Sequence, residues 1–220
     1  DEADDFAAGY VRRLVAWAGS GPPDIGIQTS RAVEAWRAGH PPPDDAAAQG
    51  NGSLMAVAPV GLRFAGDAGA ARSAASAFAR LTHPSAAAAE CNVTYVDLLS
   101  AALHGHGSGS GSGAGSGDAL PAVPSPPGVA DPAGQKMGWC RLTLHLASRA
   151  AQDAAEVGPF EALVRLVGLG GDTDTNAAVA GGLLGAVYGT AAWPAPLVDQ
   201  LALRERMEQL AEGLWRAAQE

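Results

Sequence analysis

The sequence predicts an all-α protein, a compact bundle of many helices. Three observations carry that prediction. Apolar residues recur at spacings of three and four in one segment after another, no segment shows a persuasive period-two alternation, and the breaks between segments are rich in proline and glycine. A chain of 220 residues with 47% hydrophobic and 17% charged residues can bury a real core, and is too short for two large domains.

The elements follow in order. The opening DDFAAGYVRRLVAWAG sets Phe6, Tyr10, Leu14 and Trp17 on one helical face, and Pro22 and Pro23 end that helix. A second helix is expected from Thr29 to Ala38, with Thr29 or Ser30 as its cap. GHPPPDDAAAQGNG reads as loop. SLMAVAPVGLRFAG is apolar and expected to be helical, with Pro59 starting or bending its second half. DAGAARSAASAFARL and PSAAAAECNVTYVDLLSAAL predict two Ala-rich helices, the latter opened by Pro84 in its first turn.

GSGSGSGAGSG (residues 107–117) and the Pro-rich stretch after it form a disordered low-complexity insertion over 104–135, with no core-forming residues expected. Helical pattern resumes with KMGWCRLTLHLASRAAQDA and PFEALVRLVGL. The C-terminal segment places Leu203, Met207, Leu210 and Leu214 on one stripe. His104 and His106 flank the insertion as solvated loop residues, and His145, in an apolar helix, is expected to be a satisfied structural histidine.

The net charge of −9 lacks the basic face of a nucleic-acid binder, so no nucleic-acid partner is expected, and it permits cation binding. Cys91 and Cys140 lie far apart in the sequence and outside any CxxC motif, which predicts two idle thiols in a reducing compartment rather than a disulfide. No apolar stretch is long enough to span a bilayer and no signal-peptide pattern opens the chain, so no membrane association and a cytoplasmic location are expected. The chain starts at Asp1, already inside a helix, which suggests processing or truncation.

The chemistry concentrates in GGDTDTNAAVAGGLLGAVYG, residues 170–189. Carboxylates at i and i+2 of a tight turn can point to one side, where a neighbouring hydroxyl joins them; Asp172, Asp174 and Thr175 thus suit a hard cation such as Mg²⁺, Mn²⁺ or Ca²⁺. Gly170 and Gly171 free the turn from side-chain clashes. Ala177, Gly181, Gly185 and Gly189, and likewise Ala178, Gly182 and Ala186, recur every four residues, which predicts a central helix that others approach closely. Helix capping alone accounts for one acid and leaves the second, the threonine and the double glycine unexplained. An EF-hand would need Gly at 177 and Glu at 183, where Ala177 and Leu183 stand. A haloacid-dehalogenase-type phosphatase loop would follow a strand, whereas EALVRLVGL looks helical and Asn176 holds the fifth position.

The string LGGDTDTNAAVAGGLLGAVYG resembles the C-terminal metal-binding signature of the ADP-ribosylglycohydrolase family. Three further stretches resemble the family in its order: GPPDIGIQTSRAVEAW, GNGSLMAVAPVGL and LTHPSAAAAECNVTY. The resemblance implies an all-α bundle with two divalent metals, Mg²⁺ or Mn²⁺, at the base of a cleft that holds ADP-ribose. It implies metal-dependent hydrolysis of an N- or O-glycosidic ADP-ribosyl bond, releasing ADP-ribose from a protein side chain or small molecule. ADP-ribose or an ADP-ribosylated protein would be the partner. Asp172, Asp174 and Thr175 would be metal ligands, Gly50, Asn51, Gly52 and Ser53 would turn backbone N–H groups to the diphosphate, and His83 would help line the cleft.

Two departures qualify what the resemblance implies. Residues 1–220 hold no Thr-Asp-Asp-Thr motif, no Gly-Asp-Ala-Leu-Gly segment and no counterpart of the family's catalytic glutamate; ADDF at 3–6 and PDDA at 43–46 read as solvated or capping acids. Ala56 stands where the family carries an arginine. The expectation is therefore a single, N-terminally incomplete domain over 1–220 that holds one of the family's two metals or none. The alternative is an inactive relative that binds ADP-ribose or metal, or has only a structural role.

Overall fold

The computed structural model describes residues 2–105, 120–128 and 131–219, and among them there are ten α-helices, two 3-10 turns and no strand. The helices are α1 (Glu2–Gly19), α2 (Ile27–Arg37), α3 (Ala58–Arg63), α4 (Ala68–Arg80), α5 (Ala86–Gly105), α6 (Cys140–Val157), α7 (Pro159–Gly168), α8 (Thr173–Tyr188), α9 (Ala195–Asp199) and α10 (Arg204–Ala217). The 3-10 turns are Leu54–Ala56 and Thr190–Ala192. None of the described helices is long and apolar enough to cross a membrane.

Local chemistry sets the helix starts. Asp67 opens α4 by accepting the Ala70 N–H at 2.9 Å. The hydroxyl of Ser85 accepts the Ala88 N–H at 3.1 Å and caps α5, so Pro84 lies ahead of the helix rather than in its first turn. The second helix also begins earlier than its sequence suggests, at Ile27 behind Gly26, and neither Thr29 nor Ser30 caps it. SLMAVAPVGLRFAG divides into the 3-10 turn and α3, with Pro59 in the first turn of α3, where its missing N–H costs nothing.

The core lies where α5, α6 and α8 meet. Val179, Ala180, Leu183 and Leu184 of α8 are fully buried, and the Tyr95 hydroxyl of α5 donates to the Val179 carbonyl at 2.8 Å. Gly182 permits that approach, because a Cβ there would stand 2.6 Å from Tyr95 Oη. The other small-residue ridge behaves differently: nothing lies within 4 Å of where a Cβ would stand at Gly181 or Gly185. Close approach thus holds for one ridge of α8 and not for both.

Cys91 of α5 and Cys140, the first residue of α6, come together in this core as free thiols. Their mutual hydrogen bond, together with burial, pushes the Cys91 thiol well above its ordinary pKa.

Two expected apolar faces are less covered than their periodicity suggests. On α1, Tyr10 meets Phe78 of α4 edge-on at 4.7 Å, while Phe6 and Trp17 stay nearly half exposed. Leu203, just ahead of α10, and Met207 and Leu210 on it face outward, and α3 holds the helix instead through Arg63 Nη1, which donates to the Ala217 carbonyl at 3.1 Å.

Within the 104–135 insertion, residues 106–119 and 129–130, His106 among them, lie outside the described residues. His104 belongs to the last turn of α5, not to a loop, and its Nδ1 lies 2.8 Å from the Ser100 carbonyl. Residues 120–128 lie against α6: the Val123 N–H donates to Ser148 Oγ at 3.0 Å, and Ser148 Oγ donates to the Pro121 carbonyl at 3.1 Å. His145 Nδ1–H donates to the Val123 carbonyl at 2.7 Å, which satisfies this helix histidine structurally. Leu120 and Val123 are partly buried against the core, so this end of the insertion does contribute core residues.

Candidate functional site

The mouth of α8 is shaped by Gly170 and Gly171, both at φ 76°, a region open mainly to glycine. At Gly171 the demand is double. A Cβ there would collide with the Pro132 carbonyl oxygen and stand 3.0 Å from Ala133 Cα, because the segment before α6 passes directly over the turn.

Asp172 occupies the N-cap position of α8 but makes no side-chain cap bond. Its Oδ2 instead accepts from Asn51 Nδ2 at 2.8 Å, across 121 positions of sequence. Asp174 is exposed and accepts the Thr175 N–H at 2.9 Å. That N–H, followed by a hydrogen bond with the Asp172 side chain, holds the Asp174 carboxyl below the usual carboxylate range. No ion pair of the described residues involves either acid. Asp172, Asp174 and the half-buried Thr175 offer, at the mouth of α8, oxygen donors of the kind a hard cation's shell takes. Among the described residues no cluster of three or more His, Cys, Asp or Glu side chains forms, so the remaining positions of that shell would fall to water or to a ligand.

Asn51 connects this mouth to the glycine loop. Its Nδ2 also donates to Thr143 Oγ1 of α6 at 2.9 Å, and Thr143 Oγ1 donates to Asn176 Oδ1 of α8 at 2.8 Å. The three residues are 7%, 0% and 2% exposed in the order Asn51, Thr143, Asn176, so the chain of bonds is sealed from water. The loop itself docks on the run before α6. Gly50 bridges Trp139, the Asn51 N–H donates to the Gly138 carbonyl at 3.0 Å, and the Cys140 N–H donates to the Gln49 carbonyl at 2.9 Å. The Asn51 N–H is therefore engaged within the protein, unlike the expectation that it faces a diphosphate. An open hollow of about 380 Å³ lies against the loop, lined by Gln49, Gly50, Lys136, Gly138 and Trp139 among others. Lys136 Nζ sits 4.7 Å from the centroid of the Trp139 ring, whose Nε1 donates to Gln49 Oε1 at 2.7 Å.

His83 reaches the loop from the core side. It is 3% exposed, its Nδ1 lies 2.9 Å from Thr82 Oγ1, and burial lowers its pKa to about 4, which keeps the ring neutral. A Cβ on Gly52 would stand 2.8 Å from His83 Cε1 and 3.4 Å from Thr29 Oγ1, and one on Gly50 would stand 3.1 Å from His83 Nε2. Glycine is needed at these positions because the imidazole fills the space behind them. Ser53 is buried as well and donates to Asn92 Oδ1 at 3.3 Å, while Asn92 Nδ2 has no partner.

The structure therefore gathers Thr29, Gly50–Ser53, His83 and Asp172 at one place. Thr143, Asn176 and Asn92 had not been singled out as site residues. Thr143 sits in the apolar run LTLHL and is 92 positions from Asn51, so no local pattern marks it. The one available signal was Asn176 immediately after the Asp-Thr-Asp-Thr string, at the first inward position of α8.

An all-α bundle whose glycine loop is hydrogen-bonded to a paired-carboxylate helix mouth is the class of protein that fold and site describe. The family model of ADP-ribosylglycohydrolase matches residues 1–220, and the chain belongs to the ADP-ribosylglycohydrolase family. It is 26% identical, over an alignment of 233 residues, to the ADP-ribosylarginine hydrolase Tri1 of Pseudomonas putida (strain GB-1). That alignment covers 97% of this chain and 61% of the relative, so the chain spans less than two thirds of the relative's length. Among solved structures it resembles an ADP-ribosylglycohydrolase-related protein complex, with a TM-score of 0.70 and 32% identity, covering 94% of this chain and 73% of the other.

Proposed function

We propose that the chain serves metal-dependent hydrolysis of an ADP-ribosyl bond, with Mg²⁺ or Mn²⁺ held by Asp172, Asp174 and Thr175 and ADP-ribose held along the loop Gly50–Ser53. The observation that carries this reading is the bond from Asn51 Nδ2 to Asp172 Oδ2, which joins a loop suited to a diphosphate to a mouth suited to a cation. When bound, the cation supplies Lewis acidity and a template for ribose hydroxyls near the scissile carbon.

The chain's own residues do the rest. The N–H groups of Gly52 and Ser53 offer donors to the diphosphate, and the Lys136 ammonium adds positive charge in the adjoining hollow. His83, neutral and buried, holds the loop in shape from behind rather than moving a proton. Asn51 orients the Asp172 carboxylate, and Asp174 stays ionised to neutral pH and well below it. ADP-ribosylarginine, the substrate that names the Pseudomonas relative, is the first compound to test.

A second reading is a relative that binds ADP-ribose or a cation without hydrolysis. The donor count favours it, since only two carboxylates meet at the mouth among the described residues. Calorimetric titration of ADP-ribose with Mg²⁺ and then with chelator, beside an Asp172→Asn/Asp174→Asn double variant, tests the site. Metal-dependent binding that the double variant loses supports both readings, and release of ADP-ribose from ADP-ribosylarginine separates the enzyme from the binder. Equal behaviour of wild type and double variant, in every condition, removes the site.

A further inference from the structure

The polar contacts around Asn51 close into a ring. The Asn176 N–H donates to the Asp172 carbonyl at 3.0 Å, Thr143 Oγ1 donates to Asn176 Oδ1 at 2.8 Å, and Asn51 Nδ2 donates both to Thr143 Oγ1 at 2.9 Å and to Asp172 Oδ2 at 2.8 Å. The ring therefore begins on the backbone of Asp172 and ends on its carboxylate.

Its polarity follows from one proton. The Thr143 hydroxyl has a single hydrogen, and Asn176 Oδ1 takes it, so toward Asn51 the hydroxyl can only accept. Asn51 must then present its NH₂ group, and the second hydrogen of that group is the one that faces Asp172. Without the hydroxyl, the Asn51 amide would still turn its NH₂ to Asp172, because a carboxylate only accepts, but it would lose the bond that holds its plane from the other side. Thr143 is 0% exposed and hydrogen-bonds neither the loop backbone nor the acids, so its effect on the mouth runs through Asn51 and Asn176.

We infer that Thr143 is a positioning residue for the cation site: by giving its proton to Asn176 and accepting one hydrogen of the Asn51 amide, it holds that amide in place and, through it, the aim of the Asp172 carboxylate. This rests on the reading of Asp172 as a cation ligand. It adds a partner outside the two motifs, on a helix that supplies no ligand itself.

The test is Mn²⁺ binding, read by electron paramagnetic resonance of the free ion, in the 220-residue chain and in Thr143→Val, Thr143→Ser and Asp172→Asn. Valine keeps the volume and removes the hydroxyl; it should weaken Mn²⁺ binding about tenfold or more, the range seen when an outer partner of a metal ligand is removed. Serine restores the hydroxyl and should return the affinity to the wild-type range, which a purely volumetric role of Thr143 would not do. Asp172→Asn should abolish binding. Wild-type affinity in Thr143→Val, with binding lost in Asp172→Asn, overturns the positioning role and leaves the cation site standing. Equal Mn²⁺ binding by wild type and Asp172→Asn overturns the cation site, and the role of Thr143 with it. Should Thr143→Val lack a cooperative thermal transition, Asn176→Ala reads the same ring from its other end. The same weakening is expected there, and wild-type affinity overturns the inference.

Discussion

Two clusters of the same residue types flank the glycine loop, and they do opposite things. On the α8 side, Asn51 Nδ2 donates inward to Thr143, which donates on to Asn176 Oδ1, and outward to the Asp172 carboxylate, two residues from the exposed Asp174. On the core side, Ser53, Asn92, Thr82 and His83 are all buried, the bonds end inside the bundle, and one amide hydrogen-bonding group of Asn92 is left without a partner. The first cluster orients a charged group at the mouth of α8. The second props the loop. Buried polar residues around one loop thus divide by where their hydrogen bonds terminate, and not by residue type.

The largest expected effect lies on the α8 side. Gly171→Ala meets both a positive φ and the Pro132 carbonyl, and should cost on the order of 4 kcal/mol in thermal or denaturant unfolding. Gly170→Ala shares the φ but stands an ordinary 3.7 Å from Ala133 Cβ, so strain alone remains and the loss should be about 1–2 kcal/mol. Equal losses at the two positions would break the claim that the segment before α6 seals the turn.

The core side should show itself in pH dependence. His83 titrates at about 4 when folded, below its unfolded value, so the unfolded chain takes up a proton first as the pH falls. Stability is full above pH ~6.5 and should decline by about 3 kcal/mol as the pH drops toward 4. His83→Gln should flatten that decline in urea unfolding measured across the window. An unchanged slope would mean that the histidine is not the buried prop described.

A smaller effect separates the clusters by partner removal. Ser53→Ala leaves Asn92 Oδ1 without its donor and should cost about 1–2 kcal/mol, whereas Ser53→Ala/Asn92→Leu removes both polar partners and should come within about 1 kcal/mol of wild type. A double variant worse than the sum of its parts would show that Asn92 does more than hold Ser53. The smallest effect is expected far from both clusters: Leu210→Ala on the outward stripe of α10 should change stability by no more than about 0.5 kcal/mol.

The helices were legible because their cause is local. The local pattern of residues marks α4, α6 and α7. Periodicity does not say what covers a face, which is why Met207 and Leu210 could be read correctly as helical and still stand exposed, while Leu203 falls just ahead of the helix. The site was legible only where its residues are neighbours in sequence. Asp172, Asp174 and Thr175 announce themselves, and so does the Gly-Asn-Gly turn. What joins them is tertiary: Thr143 reaches Asn51 across 92 positions, and the Gly171 turn is shaped by a carbonyl at Pro132. His83 was legible as part of a motif, but its place behind the glycines depends on burial, which no local pattern shows.

The central claim is that the glycine loop and the α8 mouth are one site. The most direct measurement is the Mn²⁺ dissociation constant of the chain with and without saturating ADP-ribose. One site predicts that ADP-ribose tightens Mn²⁺ binding by roughly fivefold or more, and that Mn²⁺ tightens ADP-ribose by the same factor. Mn²⁺ affinity that is indifferent to ADP-ribose would contradict the account and leave two unconnected halves.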